Sequence, residues 1–368
     1  MKIARVEVFG YDLTYVHGRY VMSGGREIEK LASTVVRVTT RDGVSGFGEV
    51  CPLGPAYLPA HADGARAALH TLAPAVVGLD VSNLGAVGAA MDQALMGHGY
   101  AKSGIDTACW DAFGRTIGVP VCELLGGRRS EEFPLYFAVP LGSADEMTTY
   151  VAARRAEGIH RFQLKVGGDP QDDIARIRSV VEATERDDVV VADANGGWHL
   201  QDAVVVVRAI DGLERLFVEQ PCTALEECLI VRARTTLPMV LDECITDVQS
   251  LLRAYRAQAL EAFNLKISKV GGLTRAKLMR DLAVALGLRL TIEDAWGGDL
   301  VTAAVSHLAA STPPEALFTV SFMNDWTNEH IAGYAPRSQA GRGSAPGEPG
   351  LGVEVDTELL GDPLFTAS

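Results

Sequence analysis

Five ionisable residues close five successive apolar runs in this chain: Lys165 in FQLKVGG, Asp193 in VVVADANGG, Glu219 in LFVEQP, Asp242 in PMVLDEC and Lys266 in FNLKISKVGG. Subtracting positions gives steps of 28, 26, 23 and 24 residues. About 25 residues is one strand, one helix and two short loops. A parallel strand buried on both faces reads as an unbroken apolar run, and a charge at its carboxyl end points into whatever the following loops enclose. The repeat therefore places three carboxylates and two amines around one rim, the inventory of a divalent metal flanked by two bases.

The rhythm organises the rest of the chain. From Phe133 onward strand and helix patterns alternate: FPLYFAVPL, the five runs above, LRLTIED ending at Asp294, and ALFTVSF. About eight such units predict a closed barrel rather than an open sheet. Helix starts are written locally, with Ser143 and Glu146 as a capping box and Asp169-Pro170 as N-cap and first helical position. Residues 1 to about 125 read differently: alternating strands, a turn at Asp42-Gly43, then helical stretches, an α+β unit. The expected division is 1–125 for this unit, 126–330 for the barrel and 331–368 for a Gly- and Pro-rich return segment packing on the first unit.

Composition sets limits. The 368 residues can bury a large core, and the formal charge of −14 argues against nucleic acid or an anionic membrane as partner. The six cysteines form no CxxC pair and are read as reduced thiols. The start, MKIARVEVFGYDL, has no apolar signal core, so a cytoplasmic location is expected.

Asp193, Glu219 and Asp242 come from consecutive strands and form an all-oxygen set, which favours Mg²⁺, with Mn²⁺ as the alternative, over Zn²⁺. Lys165 and Lys266 lie on the flanking strands and approach from opposite sides. Lys269 is odd-spaced from Lys266; strand alternation points it away and gives it no role. A metal that chelates a substrate carboxylate stabilises the enediolate left when the α-proton departs, and amines on either face can remove or return that proton. No Ser-His-Asp set, Walker motif or GxGxxG supports acyl, phosphoryl or hydride transfer.

These residues resemble the enolase superfamily, specifically its mandelate racemase/muconate lactonising group. The resemblance spans nearly the whole chain, through DAN, VEQP, LDE and KISKVGG in order and the segment AKSGIDTACWDAFGRTIGVPVCELLGG. It implies a modified TIM barrel of (β/α)7β type, capped by an N-terminal α+β domain that the C-terminal segment completes. It implies Mg²⁺ on Asp193, Glu219 and Asp242, acid/base roles for Lys165 and Lys266, a small carboxylate substrate and a homo-oligomer. Glu243 is expected beside the ligands rather than among them.

The chain departs from the group's pattern in places. Gln163 stands where the group usually has the first lysine of Lys-x-Lys, the eighth strand lacks Asp-x-Asp, and no His-Asp dyad replaces Lys266. What remains is similar to a proline-derivative branch, which contains cis-3-hydroxy-L-proline dehydratases and hydroxyproline betaine 2-epimerases. On that resemblance Asp294 and Trp296, in EDAWGGD, are expected to hold a ring ammonium by charge and cation–π contact. Met22, Ser23 and Tyr57, in the cap segments VMSGG and EVCPLGPAYLPAH, are expected to close the site. Dehydration of cis-3-hydroxy-L-proline is the first expectation and 2-epimerisation of a proline betaine the second. Muconate-type cycloisomerisation and a catalytically silent binding protein are more distant alternatives.

Overall fold

The parallel sheet dictated by the strand–helix rhythm is present. The computed structural model describes residues 1–368. Eight strands pair in sequence order, all parallel: Phe137–Val139, Arg161–Lys165, Val189–Asp193, Leu216–Glu219, Met239–Leu241, Ala262–Lys266, Arg289–Glu293 and Leu317–Val320. They are numbered 1 to 8 below. The sheet curls until strand 8 meets the segment before strand 1, through a parallel bridge between Leu135 and Val320 and a hydrogen bond from Tyr136 N to Val320 O. This is the expected α/β barrel.

Side chains alternate along each strand. One set packs outward against the helices in the main core; Val191, Val240, Ala262 and Phe318 fill the barrel interior as a separate cluster. Helix starts follow their local signals: the Ser143/Glu146 capping box opens Ala144–Ala156, and Asp169 caps Pro170–Ala183 through the amides of Gln171 and Asp172.

The N-terminal unit is an antiparallel sheet in the order Phe365–Ala367, Ile3–Thr14, Lys30–Thr40, Ser45–Val50, backed by helices Ala62–Val76, Leu84–Ala94 and Gly99–Ile117. The last residues thus add an edge strand to the first strand of the chain. Between these two ends the tail crosses the barrel: Arg342–Gly343 pairs with Phe133–Pro134, and Leu351 N donates to Asp111 in the third cap helix. A hairpin of Tyr20–Met22 and Arg26–Ile28 reaches over the barrel mouth, where Leu141 N donates to Val21 O. Among the described residues no helix is long and apolar enough to cross a membrane.

Helix Gly99–Ile117 lies directly on the strand Ser45–Val50 because two glycines leave no side chain between them. A Cβ on Gly46 would lie 2.2 Å from Ala112 N, and one on Gly48 2.1 Å from Gly104 O. The alternate residues of the strand, Phe47 and Glu49, therefore face the other way, toward the barrel. Gly48→Ala is expected to destabilise the protein by about 3 kcal/mol, the upper end for overpacking. This would appear as a lowered urea midpoint with unchanged slope. An unchanged midpoint would mean that the helix can move away at little cost.

Candidate active site

Strand register decides which side chains meet at the rim. Lys165 pairs with Asp193, Asp193 with Glu219, and Lys266 with Glu293, so these ends lie in one layer. Strand 5 stops at Leu241. Asp242 is two residues beyond Val240, the partner of Glu219, and so points inward one layer higher. All five residues expected at the rim are buried and face one space. Lys165 Nζ donates to Asp193 Oδ2 at 2.5 Å, and Lys266 Nζ binds Asp242 Oδ2 and lies 3.4 Å from Glu293 Oε1. Lys165 and Lys266 stand on strands 2 and 6, halfway around an eight-stranded barrel from each other.

Two inward amides one layer below grip Glu219. Gln163 Nε2 donates to both carboxylate oxygens at 3.1 Å, and Asn264 Nδ2 to Oε1 at 2.7 Å. Asn195 Nδ2 links Asp193 Oδ2 at 2.9 Å to Glu243 Oε1 at 3.1 Å.

Lys269 differs from its expected orientation. Its Nζ donates to Asp242 Oδ1 at 2.8 Å and to Asp242 O at 2.7 Å. The strand ends at Lys266 and the chain turns into a short helix, Ile267–Val270, in which a spacing of three returns to the same side. Strand alternation does not extend past the strand.

The cap closes over this rim. Tyr57 OH bonds Lys266 Nζ and donates to Asp242 Oδ2 at 3.1 Å, joining a cap loop to the barrel. Met22 and Tyr57 line a narrow cleft of about 40 Å³ together with Tyr20, Tyr136, Lys165, Lys266, Glu293, Trp296 and Trp326. Ser23, fully buried, instead turns to the barrel loops: its Oγ bonds Val166 O and lies 3.2 Å from Asn195 Oδ1. Trp296, also buried, packs in a ring cluster, with centroids 5.6 Å from Tyr20 and 5.6 Å from Trp326.

Asp294 borders the cleft, but its carboxylate is already engaged. Ser268 N at 2.9 Å, Ser268 Oγ and Ala295 N at 2.7 Å donate to it, and burial raises its carboxyl to about 6. Strand 7 ends at Glu293, one residue earlier than expected. Glu293 carries the carboxylate that projects into the barrel, where it meets Tyr136 OH and Lys266. Counting inward positions forward from Thr291 by two would have found Glu293. Tyr20, Tyr136 and Trp326 carry no such local signal, because they arrive from segments far apart in sequence.

Charge defines what this rim can hold. Asp193, Glu219, Asp242 and Glu293 are each no more than 2% exposed. With half-buried Glu243 they make five carboxyl groups facing three lysines, Lys165, Lys266 and Lys269, so acidic groups outnumber basic ones by two. Burial, then Asp193 and Asp242 beside it, push the Glu219 carboxyl well above the usual carboxylate range. Asp242 is held below its usual range: burial opposes this, but Lys266 and Lys269 outweigh it. Among the described residues Glu243 Oε2 is buried without a hydrogen-bond partner. As the side chains stand, no three acidic, His or Cys groups among the described residues gather into a metal cage, because lysines draw Asp193 and Asp242 toward themselves. The donor chemistry nevertheless fits a hard dication: it is all oxygen, and acidic groups outnumber basic ones.

Known proteins place this geometry. Residues 19–126 match the mandelate racemase/muconate lactonizing enzyme N-terminal domain, and residues 146–359 match the enolase C-terminal domain-like family. The chain is 46% identical over 364 residues to a cis-3-hydroxy-L-proline dehydratase from Roseibium aggregatum, covering 99% of each. It superposes with a TM-score of 0.96 on the crystal structure of a mandelate racemase/muconate lactonizing enzyme from Roseovarius nubinhibens, at 37% identity, over 100% of this chain and 98% of that one. A second Roseovarius nubinhibens structure, complexed with magnesium, aligns at TM-score 0.95 and 34% identity over 100% of both chains. The cap, the barrel and the motifs at the strand ends agree with these matches, and the chain is an enzyme belonging to the mandelate racemase/muconate lactonizing group of the enolase superfamily.

Proposed function

We propose that this enzyme dehydrates cis-3-hydroxy-L-proline to Δ1-pyrroline-2-carboxylate. The observation that carries the reading is the placement of two lysines half a barrel apart, across a cleft that also holds a carboxylate wall and an aromatic wall. In this substrate the 3-hydroxyl shares a ring face with the carboxylate, so the α-hydrogen lies on the opposite face. Loss of water is an anti elimination and needs a proton acceptor on one face and a donor on the other. Lys165 and Lys266 supply that pair: one amine takes the Cα proton, and the opposite ammonium protonates the departing hydroxyl. The Cα–H electrons form the ring double bond as the C3–O bond breaks, water leaves, and the enamine tautomerises to the cyclic imine. Tyr57, bonded to Lys266 and Asp242, holds that amine in line.

Asp193, Glu219 and Asp242 would hold Mg²⁺, which supplies positive charge to the two oxygens of the substrate carboxylate as the α-proton leaves. A ring nitrogen is two bonds from the carboxylate carbon, so a substrate anchored there presents its ammonium to the neighbouring strand ends. Glu293 is the carboxylate placed to meet it, and the rings of Tyr20, Trp296 and Trp326 form an apolar face for its alkyl side. The three-ring wall also favours a second reading, 2-epimerisation of a proline betaine, because a quaternary nitrogen has no N–H and depends on ring faces.

Three outcomes test this. Turnover of cis-3-hydroxy-L-proline is expected to vanish in excess EDTA and return with Mg²⁺. Asp193→Asn, Glu219→Gln and Asp242→Asn should each weaken Mg²⁺ binding at least tenfold by calorimetry, and full activity after chelation and dialysis would exclude the metal. Lys165→Ala and Lys266→Ala should each abolish dehydration, while one of them still exchanges the substrate's Cα proton in D₂O by NMR; near-normal turnover in both would remove the two-base mechanism. Finally, Glu293→Gln should cost about 3–5 kcal/mol, the usual penalty for losing one partner of a buried charge pair, or two to four orders of magnitude in kcat/KM. Trp296→Phe should do milder harm, and more with a betaine than with a secondary amine. Equal kcat/KM in Glu293→Gln and wild type would place ammonium recognition on another group.

A further inference from the structure

Glu49 is a buried carboxylate of the cap that makes no contact with the rim lysines, yet it is among the most heavily hydrogen-bonded acids in the protein. It is 3% exposed and sits on the strand Ser45–Val50, on the face turned to the barrel. Its Oε1 accepts from Tyr11 OH at 2.5 Å, Ser33 Oγ at 2.7 Å and Gly298 N at 2.9 Å, and its Oε2 from Val301 N at 3.2 Å. Two of these donors belong to the cap and two to the barrel.

The barrel donors open the helix Asp299–Ala310, which follows strand 7. That helix has no cap of its own: its N-cap position is Gly298, and no side chain near it in sequence accepts from its first turn. First-turn amides need an acceptor, and a negative charge there also opposes the helix dipole. Glu49 therefore caps a barrel helix from the other domain. The approach is tight. A Cβ on Gly298 would lie 2.4 Å from Tyr11 OH, and one on Gly297 2.3 Å from Val301 Cβ.

Strand 7 and this helix are joined by Asp294, Ala295, Trp296, Gly297 and Gly298. The first three line the catalytic cleft. One end of the loop is fixed by strand 7 and by the bonds from Ser268 to Asp294, and the other end by Glu49. The strand that carries Glu49 is itself seated by glycine contacts on helix Gly99–Ile117, so it cannot follow a displaced loop. We propose that Glu49 is a positioning residue through which the cap sets the strand-7 loop, and with it Trp296, so that substrate selection in the barrel depends on a carboxylate of the other domain. The effect on substrate rests on the reading of Trp296 as part of the ammonium wall; the clamp itself does not.

The test uses Glu49→Gln in the full-length enzyme, with Tyr11→Phe as a gentler variant that removes one donor and leaves the carboxylate. Hydrogen exchange read at single amides is expected to speed at least tenfold at Gly298 and Val301 in Glu49→Gln, with the later turns of the helix unchanged, and less in Tyr11→Phe. With Mg²⁺ and cis-3-hydroxy-L-proline, KM should rise at least tenfold while kcat stays within threefold, and Glu49→Asp should recover part of the loss. Unchanged exchange at both amides would overturn the clamp. Faster exchange with KM and kcat falling together, or with neither altered, would overturn its role in selection. An enzyme inactive on this substrate before mutation would refute the proposed function, while the exchange pattern would still decide the clamp. Should Glu49→Gln fail to fold, exchange in Tyr11→Phe decides it, with equal protection at Gly298 and Val301 counting against it.

Discussion

Uncompensated negative charge at the barrel mouth is the constraint around which the rest is arranged. Isolated charges in a low-dielectric interior are costly, and they persist only when partners or a metal neutralise them. Three lysines, three amides and the hydroxyls of Tyr57 and Tyr136 share the oxygens of five carboxyl groups without matching them in number. A fold stabilised only by its own packing would not gather such a set. The barrel holds it because the strands are fixed by pairing on both sides, and one register layer delivers Lys165, Asp193 and Glu219 side by side whatever the local repulsion.

That regularity is also why so much was legible in the chain. A step of about 25 residues between apolar runs encodes both the barrel and the rim, since the strand and its terminal charge are one signal. Reading failed where the signal is not periodic in that sense. Gln163 and Asn264 are single polar residues within apolar runs, and only the inward face of a closed barrel turns them toward Glu219. Lys269 was placed by strand spacing in a segment that had already become helix. Asp294 looked like the strand-end charge, but its carboxylate satisfies Ser268 and Ala295, and Glu293 before it takes the inward place. Each error is one residue or one element boundary wide, which is enough to reverse a side chain when the period is two.

The cap was less legible than the barrel. Its strands and the Asp42-Gly43 turn are plain, but its contribution to the site is made by loops and long-range contacts with no spacing rule. Tyr20 and Trp326 meet from positions about three hundred residues apart in the chain, stacked with ring centroids 6.4 Å apart. Ser23 was expected to face substrate and instead fastens the cap hairpin to the loops after strands 2 and 3. The pair Gly46 and Gly48 gives no hint of function as a sequence, yet their missing side chains let a helix backbone seat the strand that carries Glu49.

Gln163 connects the charge balance to the proposed substrate. A lysine at this position, as the group usually has, would place a further positive charge against Glu219. With a neutral amide that charge is absent, and a bound dication would supply positive charge to the same oxygens. A substrate with a carboxylate alone would add negative charge to an already acidic cleft. A zwitterion would add no net charge, because its own ammonium, set on the proposed reading against Glu293 and the rings, would supply what the absent lysine does not. In a site largely screened from water that difference is worth far more than at a surface. The loss of one lysine on strand 2 and the choice of an amino-acid-like substrate are, on this argument, two aspects of a single electrostatic requirement.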